Sequence, residues 1–195
     1  LEGLSYHLRY RPVLLGALIN YVLSNDLWFR DYVVAYTNAA TIVGEDFLDT
    51  EDLDGLFSGY DPDTGTYDNA SWAYQPGDGT TPDEAFARDE TLRHPRTVFQ
   101  ILSRHYARYT PELVADTCGI SEADFAYLAR AVTENSGRDR TTCFAYAVGW
   151  TQHTMGAQFI RTAAILQLLL GNMGRPGGGV MALRGHASIQ GSTDI

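Results

Sequence analysis

The sequence predicts an α/β fold, helix-rich, with helices layered on both sides of parallel strands. Two observations lead there. In the C-terminal third, the short β-rich runs "TTCFAYAVG" and "GVMAL" flank the long apolar stretch "GAQFIRTAAILQLLLGN", so the order reads helix, strand, helix, strand. Helix start and stop residues also recur just before that point, at Thr110, Gly119 and Ser121. With 195 residues and 45% hydrophobic content, the chain can bury the core of one domain or somewhat more.

Taken in order, "PVLLGALINYVLSND" reads as a mostly buried helix. "DLWFRDYVVAYTN" reads as a second, with Asp26 as N-cap and Leu27, Tyr32, Val33 and Tyr36 on related faces. From Gly44 to about His94 the periodicity is lost and Gly, Asp, Pro and aromatics dominate. This predicts an irregular surface insertion over about 45–95, pinned by Phe57, Tyr60, Tyr67, Trp72 and Tyr74. Helices resume in "PRTVFQILSRHYARYT", with Val98, Ile101, Leu102, His105, Tyr106 and Tyr109 at helical spacing. "TPELVADTCG" follows, with Thr110 as cap, Pro111 in the first turn and Gly119 past the end. "SEADFAYLARAVTENSG" repeats the device with Ser121 as cap and Asp124 near the positive helix end. Strands near 141–148 and 180–183 should then lie parallel and close together, joined by a right-handed crossover.

Charge and composition exclude several functions. Residues 45–90 hold 14 of the 24 acidic residues against one arginine, Arg88, a local charge of −13. Since the whole chain carries −10, the remainder carries +3. The acidic block repels nucleic acid, while the rest can meet an anionic ligand. The two cysteines, Cys118 and Cys143, stand in unrelated contexts, which argues against a disulfide scaffold or a cysteine-built metal site within this chain. There is no run of eighteen apolar residues. "LEGLSYHLRY" is not expected to be a natural N-terminus, so the lack of a leader says nothing about compartment.

Three stretches carry candidate chemistry. In "GNMGRPGGG", Gly177, Gly178, Gly179 and Ala182 match a dinucleotide-type glycine pattern, but they follow a helix and precede a strand, the reverse of the required context. The turn then reads either as a helix stop around Gly171, Asn172, Gly174 and Pro176, or as a place where backbone approaches a large ligand. "VGWTQHTMG" follows the first strand. Ligands of open α/β sheets bind beyond the carboxyl ends of strands, so Gly149, Trp150, Thr151, Gln152 and His153 are candidates, with an ordinary polar turn as the alternative. "LRGHASIQGSTD" follows the second strand in the same sense. There Arg184, with Gly185 and His186 beside it, offers a guanidinium fork for a carboxylate or phosphate. His7, His94, His105 and Cys118 read as structural.

Residues 146–195, "YAVGWTQHTMGAQFIRTAAILQLLLGNMGRPGGGVMALRGHASIQGSTDI", closely resemble the large catalytic subunit of molybdenum- or tungsten-dependent formate dehydrogenases, within the molybdopterin oxidoreductase family. "DYVVAYTNAATIV", "GLFSGYDPDTGTYDNASWAY" and "HPRTVFQILSRHYARYTPELVADTCG" resemble its membrane-associated, quinone-linked subgroup, so the likeness runs over about 18–195. The resemblance implies part of a Rossmann-like three-layer domain of the formate dehydrogenase/dimethylsulfoxide reductase fold. Residues 1–186 would be the C-terminal portion of one cofactor-binding domain, and 187–195 the start of the next.

The resemblance also implies two molybdopterin guanine dinucleotides around one molybdenum or tungsten ion. Gly149, Trp150, Thr151, Gln152 and His153 would face one dinucleotide, supported by the turn that holds Gly174. Arg184 would orient formate, with His186 beside it. Gly185, Gln190, Gly191, Thr193 and Asp194 would face cofactor at the opening of the next domain. No metal ligand matches in this chain. The ligating cysteine or selenocysteine and the motif for a 4Fe–4S cluster belong to earlier parts of such subunits, so the chain is expected to be a fragment, inactive alone. Residues 1–17 depart from the family pattern, and no site is transferred to them. An iron–sulfur subunit, a cytochrome b membrane subunit and a place on the periplasmic side of the membrane are implied by the same likeness, with a cytoplasmic location as the alternative. The competing readings are a molybdopterin enzyme for another oxyanion, and a non-catalytic cofactor-binding or subunit-contact module.

Overall fold

A computed structural model describes residues 11–79 and 85–183. The described residues divide into two compact units: one takes in residues 11–30 and 109–183, the other lies within Asp31–Arg108. The irregular segment expected at 45–95 lies wholly inside the second. Among the described residues no helix is long and apolar enough to cross a membrane.

The first unit is built on helix α1 (Arg11–Ser24), which packs against α4 (Pro111–Cys118), α5 (Glu122–Glu134) and α7 (Gly156–Leu169). Leu15, Leu18, Ile19 and Val22 recur at the spacing of one helix face, and all four are buried. They meet a core that includes Val114, Phe125, Ala129, Phe159, Ala163 and Leu166. Burial also pushes the Cys118 thiol above its ordinary pKa, so it serves as a small apolar side chain.

The helix punctuation follows the sequence with one correction. Thr110 accepts a hydrogen bond from Leu113 N and Ser121 from Asp124 N, while Gly119 closes α4 at φ +67°. Asp26, expected as an N-cap, instead ends α1. Its φ is +53°, Leu27 N donates to Val22 O and Asp26 N to Leu23 O, the paired bonds of a left-handed helix stop. Aspartate serves either role, because its short polar side chain tolerates the left-handed region. Helix α2 (Arg30–Tyr36) therefore starts several residues later than its cap residue suggested.

Strands β3 (Cys143–Tyr146) and β4 (Gly179–Ala182) pair in parallel, with Cys143 opposite Gly179 and Tyr146 opposite Ala182. That is the arrangement the strand–helix–strand order predicts. β3 is shorter than expected, because Val148–Thr151 form a helical turn, α6. Helix α7 ends as α1 does: Gly171 takes φ +71°, Gly171 N donates to Leu168 O and Asn172 N to Gln167 O. A Cβ at Gly171 would stand 2.5 Å from the Phe29 ring, so both backbone and packing require glycine there. The Gln167 and Asn172 side chains are fully buried and bonded to one another. Gln167 Nε2 donates to Thr142 O (2.9 Å) and Gly179 O (2.7 Å), and Asn172 Nδ2 donates to Thr142 Oγ1 (2.9 Å) and Ser136 Oγ (3.0 Å).

In the second unit, the buried run Ala39–Val43 bridges backbone near Arg88, Thr97 and Tyr74. A small hairpin of β1 (Tyr60–Asp61) and β2 (Thr66–Tyr67) and helix α3 (Val98–Tyr106) complete it. Arg96 anchors the start of the acidic segment by donating to Val43 O, Gly44 O and Phe47 O. The aromatics expected to pin the segment largely stay exposed: Phe57 and Trp72 keep 60% and 52% of their surface, though Trp72 Nε1 donates to Ser58 O. Ser58, itself buried, bonds Ser71 Oγ and Leu48 N. The segment is held by polar bonds more than by ring burial.

Two predictions follow from this geometry. Asn172→Ala removes a buried amide and strands its partners, so it should cost about 2–3 kcal/mol in chemical denaturation. Asp89 accepts from Thr91 Oγ1, His94 N, Thr91 N and Arg93 N, which holds its carboxyl at about 2 against an ordinary 3.8. A depressed folded pKa gives stability that is full above the ordinary value and is lost as pH falls through about 2. Carboxyl NMR titration should show Asp89 titrating late, and Asp89→Asn should remove that part of the acid dependence.

Candidate functional site

The parallel pairing sends both strands out at one edge. Leu183 N donates to Tyr146 O at 2.7 Å, so the chain leaves β4 directly beside the exit from β3. After β3 the backbone turns at Ala147, and α6 is fixed by Trp150 N to Ala147 O and Gln152 N to Val148 O. The Trp150 ring stacks on Tyr146, centroids 5.4 Å apart and the ring planes nearly parallel at 12°. His153 is half-buried and meets the edge of Phe159 at 5.6 Å. Gly156 lets α6 sit on the start of α7, since a Cβ there would fall 2.6 Å from Trp150 O.

Gly149, Thr151 and Gln152 are exposed on this turn, and Trp150 and His153 are half-buried beside them. The face offers a hydroxyl, a carboxamide, an indole N–H and an imidazole, all neutral or donor groups, around a residue without a side chain. Val148, Met155, Met181 and Leu183 add exposed apolar surface. From Thr141 to Leu183 the only charged side chains are Arg161 and Arg175, with no carboxylate. Such a surface can accept a large, partly aromatic anion without desolvating a like charge.

The structure brings Gly149, Trp150, Thr151, Gln152 and His153 together at the strand ends, as the sequence predicts. Gly174 is placed elsewhere. It is exposed, at φ +72°, in the turn before β4, and thus at the amino end of that strand, which the roughly 10 Å length of β4 separates from its carboxyl end. Arg184, Gly185, His186, Gln190, Gly191, Thr193 and Asp194 lie outside the described residues. Sequence reasoning missed the Tyr146–Trp150 stack and the Gln167–Asn172 pair. The available signal for the pair was two amides interrupting an otherwise apolar helix end.

The geometry is that of an α/β unit with an exposed polar turn beyond the adjacent ends of two parallel strands. Comparison with known proteins narrows that class. No family model matches the chain. It is 50% identical over 93% of its length to the nitrate-inducible formate dehydrogenase major subunit of Escherichia coli (strain K12), and 48% identical over 93% to the formate dehydrogenase-O major subunit of the same organism. It is 46% identical over 92% to the formate dehydrogenase subunit alpha of Megalodesulfovibrio gigas. The chain spans 17% of the length of each of these curated relatives.

The Tyr146–Trp150 stack yields a direct test of how the turn is held. Trp150→Ala should lower stability by about 1 kcal/mol in chemical denaturation, and Trp150→Phe should retain most of it, because a second ring preserves the contact.

Proposed function

We propose that this chain is part of the catalytic subunit of a formate dehydrogenase, and that its strand-end face holds one of two molybdopterin guanine dinucleotides of a molybdenum or tungsten centre. The observation that carries the reading is the 50% identity over 93% of the chain to a formate dehydrogenase major subunit. The donor set of the face fits a dinucleotide of this kind. Thr151 and Gln152 offer neutral hydrogen-bond donors for phosphate and guanine, Gly149 lets backbone approach, and no acidic side chain between Thr141 and Leu183 opposes the negative charge. Gly185, Gln190, Gly191, Thr193 and Asp194 continue the cofactor contacts in this reading.

When bound, the metal–pterin centre supplies a two-electron acceptor for oxidation of formate to CO2, with the electrons leaving through iron–sulfur clusters. The chain's own part is positional. The Arg184 guanidinium holds the two formate oxygens by parallel hydrogen bonds, which fix orientation as a lysine ammonium could not. His186 would serve beside it as a hydrogen-bond partner or as acceptor of the proton released as formate loses two electrons and becomes CO2. The metal's protein ligand comes from another part of the subunit, so the chain alone is inactive. The reading extends to an iron–sulfur partner subunit and a cytochrome b membrane subunit of a quinone-linked complex on the periplasmic side.

In the full-length subunit, Arg184→Lys should lower kcat/KM for formate by about 30- to 1000-fold, the loss of one charge-assisted contact in a water-excluded site. Metal and pterin content should stay near normal, and His186→Gln should do less harm. Full activity in Arg184→Lys, or loss of cofactor instead of rate, would remove the assigned role.

A further inference from the structure

The second unit holds a cavity of about 510 Å³, walled by Phe47, Asp49, Phe57, Trp72, Tyr74 and Tyr106 among others. It lies entirely within Asp31–Arg108, and none of the strand-end residues lines it. Its size is that of a ligand or side-chain pocket, and its wall is dominated by aromatic rings.

One polar group on that wall is left wanting. Asp49 Oδ1 accepts from Thr50 N at 2.8 Å, but Asp49 Oδ2 is buried and has no hydrogen-bond partner among the described residues. A buried carboxylate oxygen without a donor is costly and is normally satisfied by a cation or N–H group. The nearby carboxylate differs. Asp49, Glu51 and His105 bring ligand atoms within 4.8 Å of one another, yet Arg108 and His105 both contact Glu51. Arg108 already supplies the positive charge there, which disfavours a metal ion, but among the described residues no donor hydrogen-bonds Asp49 Oδ2. The other guanidinium close by, Arg96, is committed to three backbone carbonyls.

The rim points the same way. Phe57 and Trp72 line the cavity and also stand exposed on the surface, where their rings continue to Tyr67 and Tyr60 at centroid spacings of 6.3, 6.1 and 5.1 Å. Exposed rings bordering a pocket are the usual anchors of a protein contact, and ring faces attract guanidinium and ammonium groups. The surrounding segment carries −13, which complements a basic partner and repels an acidic one.

We propose that this cavity is the docking site for a basic segment of a partner subunit, whose arginine or lysine side chain sits beside Asp49 with an apolar neighbour against Phe57 and Trp72. This rests on the reading of the chain as part of a multi-subunit enzyme. The charge favours a partner of this chemistry over a hydrophobic or acidic one.

The test uses the assembled complex with full-length subunit carrying photoreactive benzoylphenylalanine at Tyr67. Irradiation should crosslink a second subunit at a peptide containing arginine or lysine. Asp49→Asn should lower the yield about tenfold or more, and Phe57→Ala should lower it independently of any effect on folding. Formate-dependent dye reduction by the same preparations should be unchanged by either variant. Loss of that activity in the parent complex would count against the proposed function, whereas the crosslink reads the docking site alone. Crosslinks confined to the subunit's own chain, no crosslink at all, or a yield indifferent to Asp49 would overturn the proposal.

Discussion

The first unit depends on two buried amides. Four residue pairs join β3 to β4, and a two-stranded parallel ladder of that length has little stability of its own. What sets its register is Gln167, whose single amide nitrogen donates to Thr142 O and Gly179 O at the feet of both strands. Asn172 completes the clamp by holding Thr142 and Ser136 while bonding Gln167 Oε1. A slip of one residue would turn every β3 side chain, Tyr146 included, to the opposite face of the ladder. The turn at one end of the strands is therefore positioned by polar bonds at the other.

That clamp is costly to bury and exists because the helix end makes it complete. A left-handed stop places its third-last helical residue next to the second residue past the cap, a contact usually filled by two apolar side chains. Here those positions are Gln167 and Asn172, so the stop itself brings the amides together. Arg175 then donates to the carbonyls of Gly171, Gly137 and Arg138, while its guanidinium and that of Arg138 lie over the Phe29 ring. Gly171 and Asn172 are thus accounted for by a helix stop and its buried polar network.

Legibility divides along local and non-local lines. The parallel strands could be read because strand, helix, strand order leaves few alternatives, and the Thr110 and Ser121 caps because each bond closes within three residues. Asp26 was misread because one residue type serves both helix ends. The acidic segment's anchor escaped notice because Arg96 lies fifty residues from the carbonyls it holds, outside the segment itself. At the candidate site, Gly149–His153 could be placed from the strand-end rule. The separation of Gly174 could not, since it depends on which end of β4 the turn feeds. Arg184 and His186 lie outside the described residues, so the structure adds nothing to their reading.

Net charge is a poor guide to what this protein can bind. At physiological ionic strength a charge acts over a Debye length of about 8 Å, so a ligand at the strand ends responds to the charges within that reach. The stretch 141–183 carries two arginines and no carboxylate, although the chain as a whole carries −10. The acidic residues are concentrated in Asp31–Arg108, the unit that presents an unmatched carboxylate and exposed rings. The two units therefore differ in local charge: the strand-bearing one has no carboxylate along 141–183, and the other holds the acidic segment beside its aromatic cavity. A single overall charge would have hidden both.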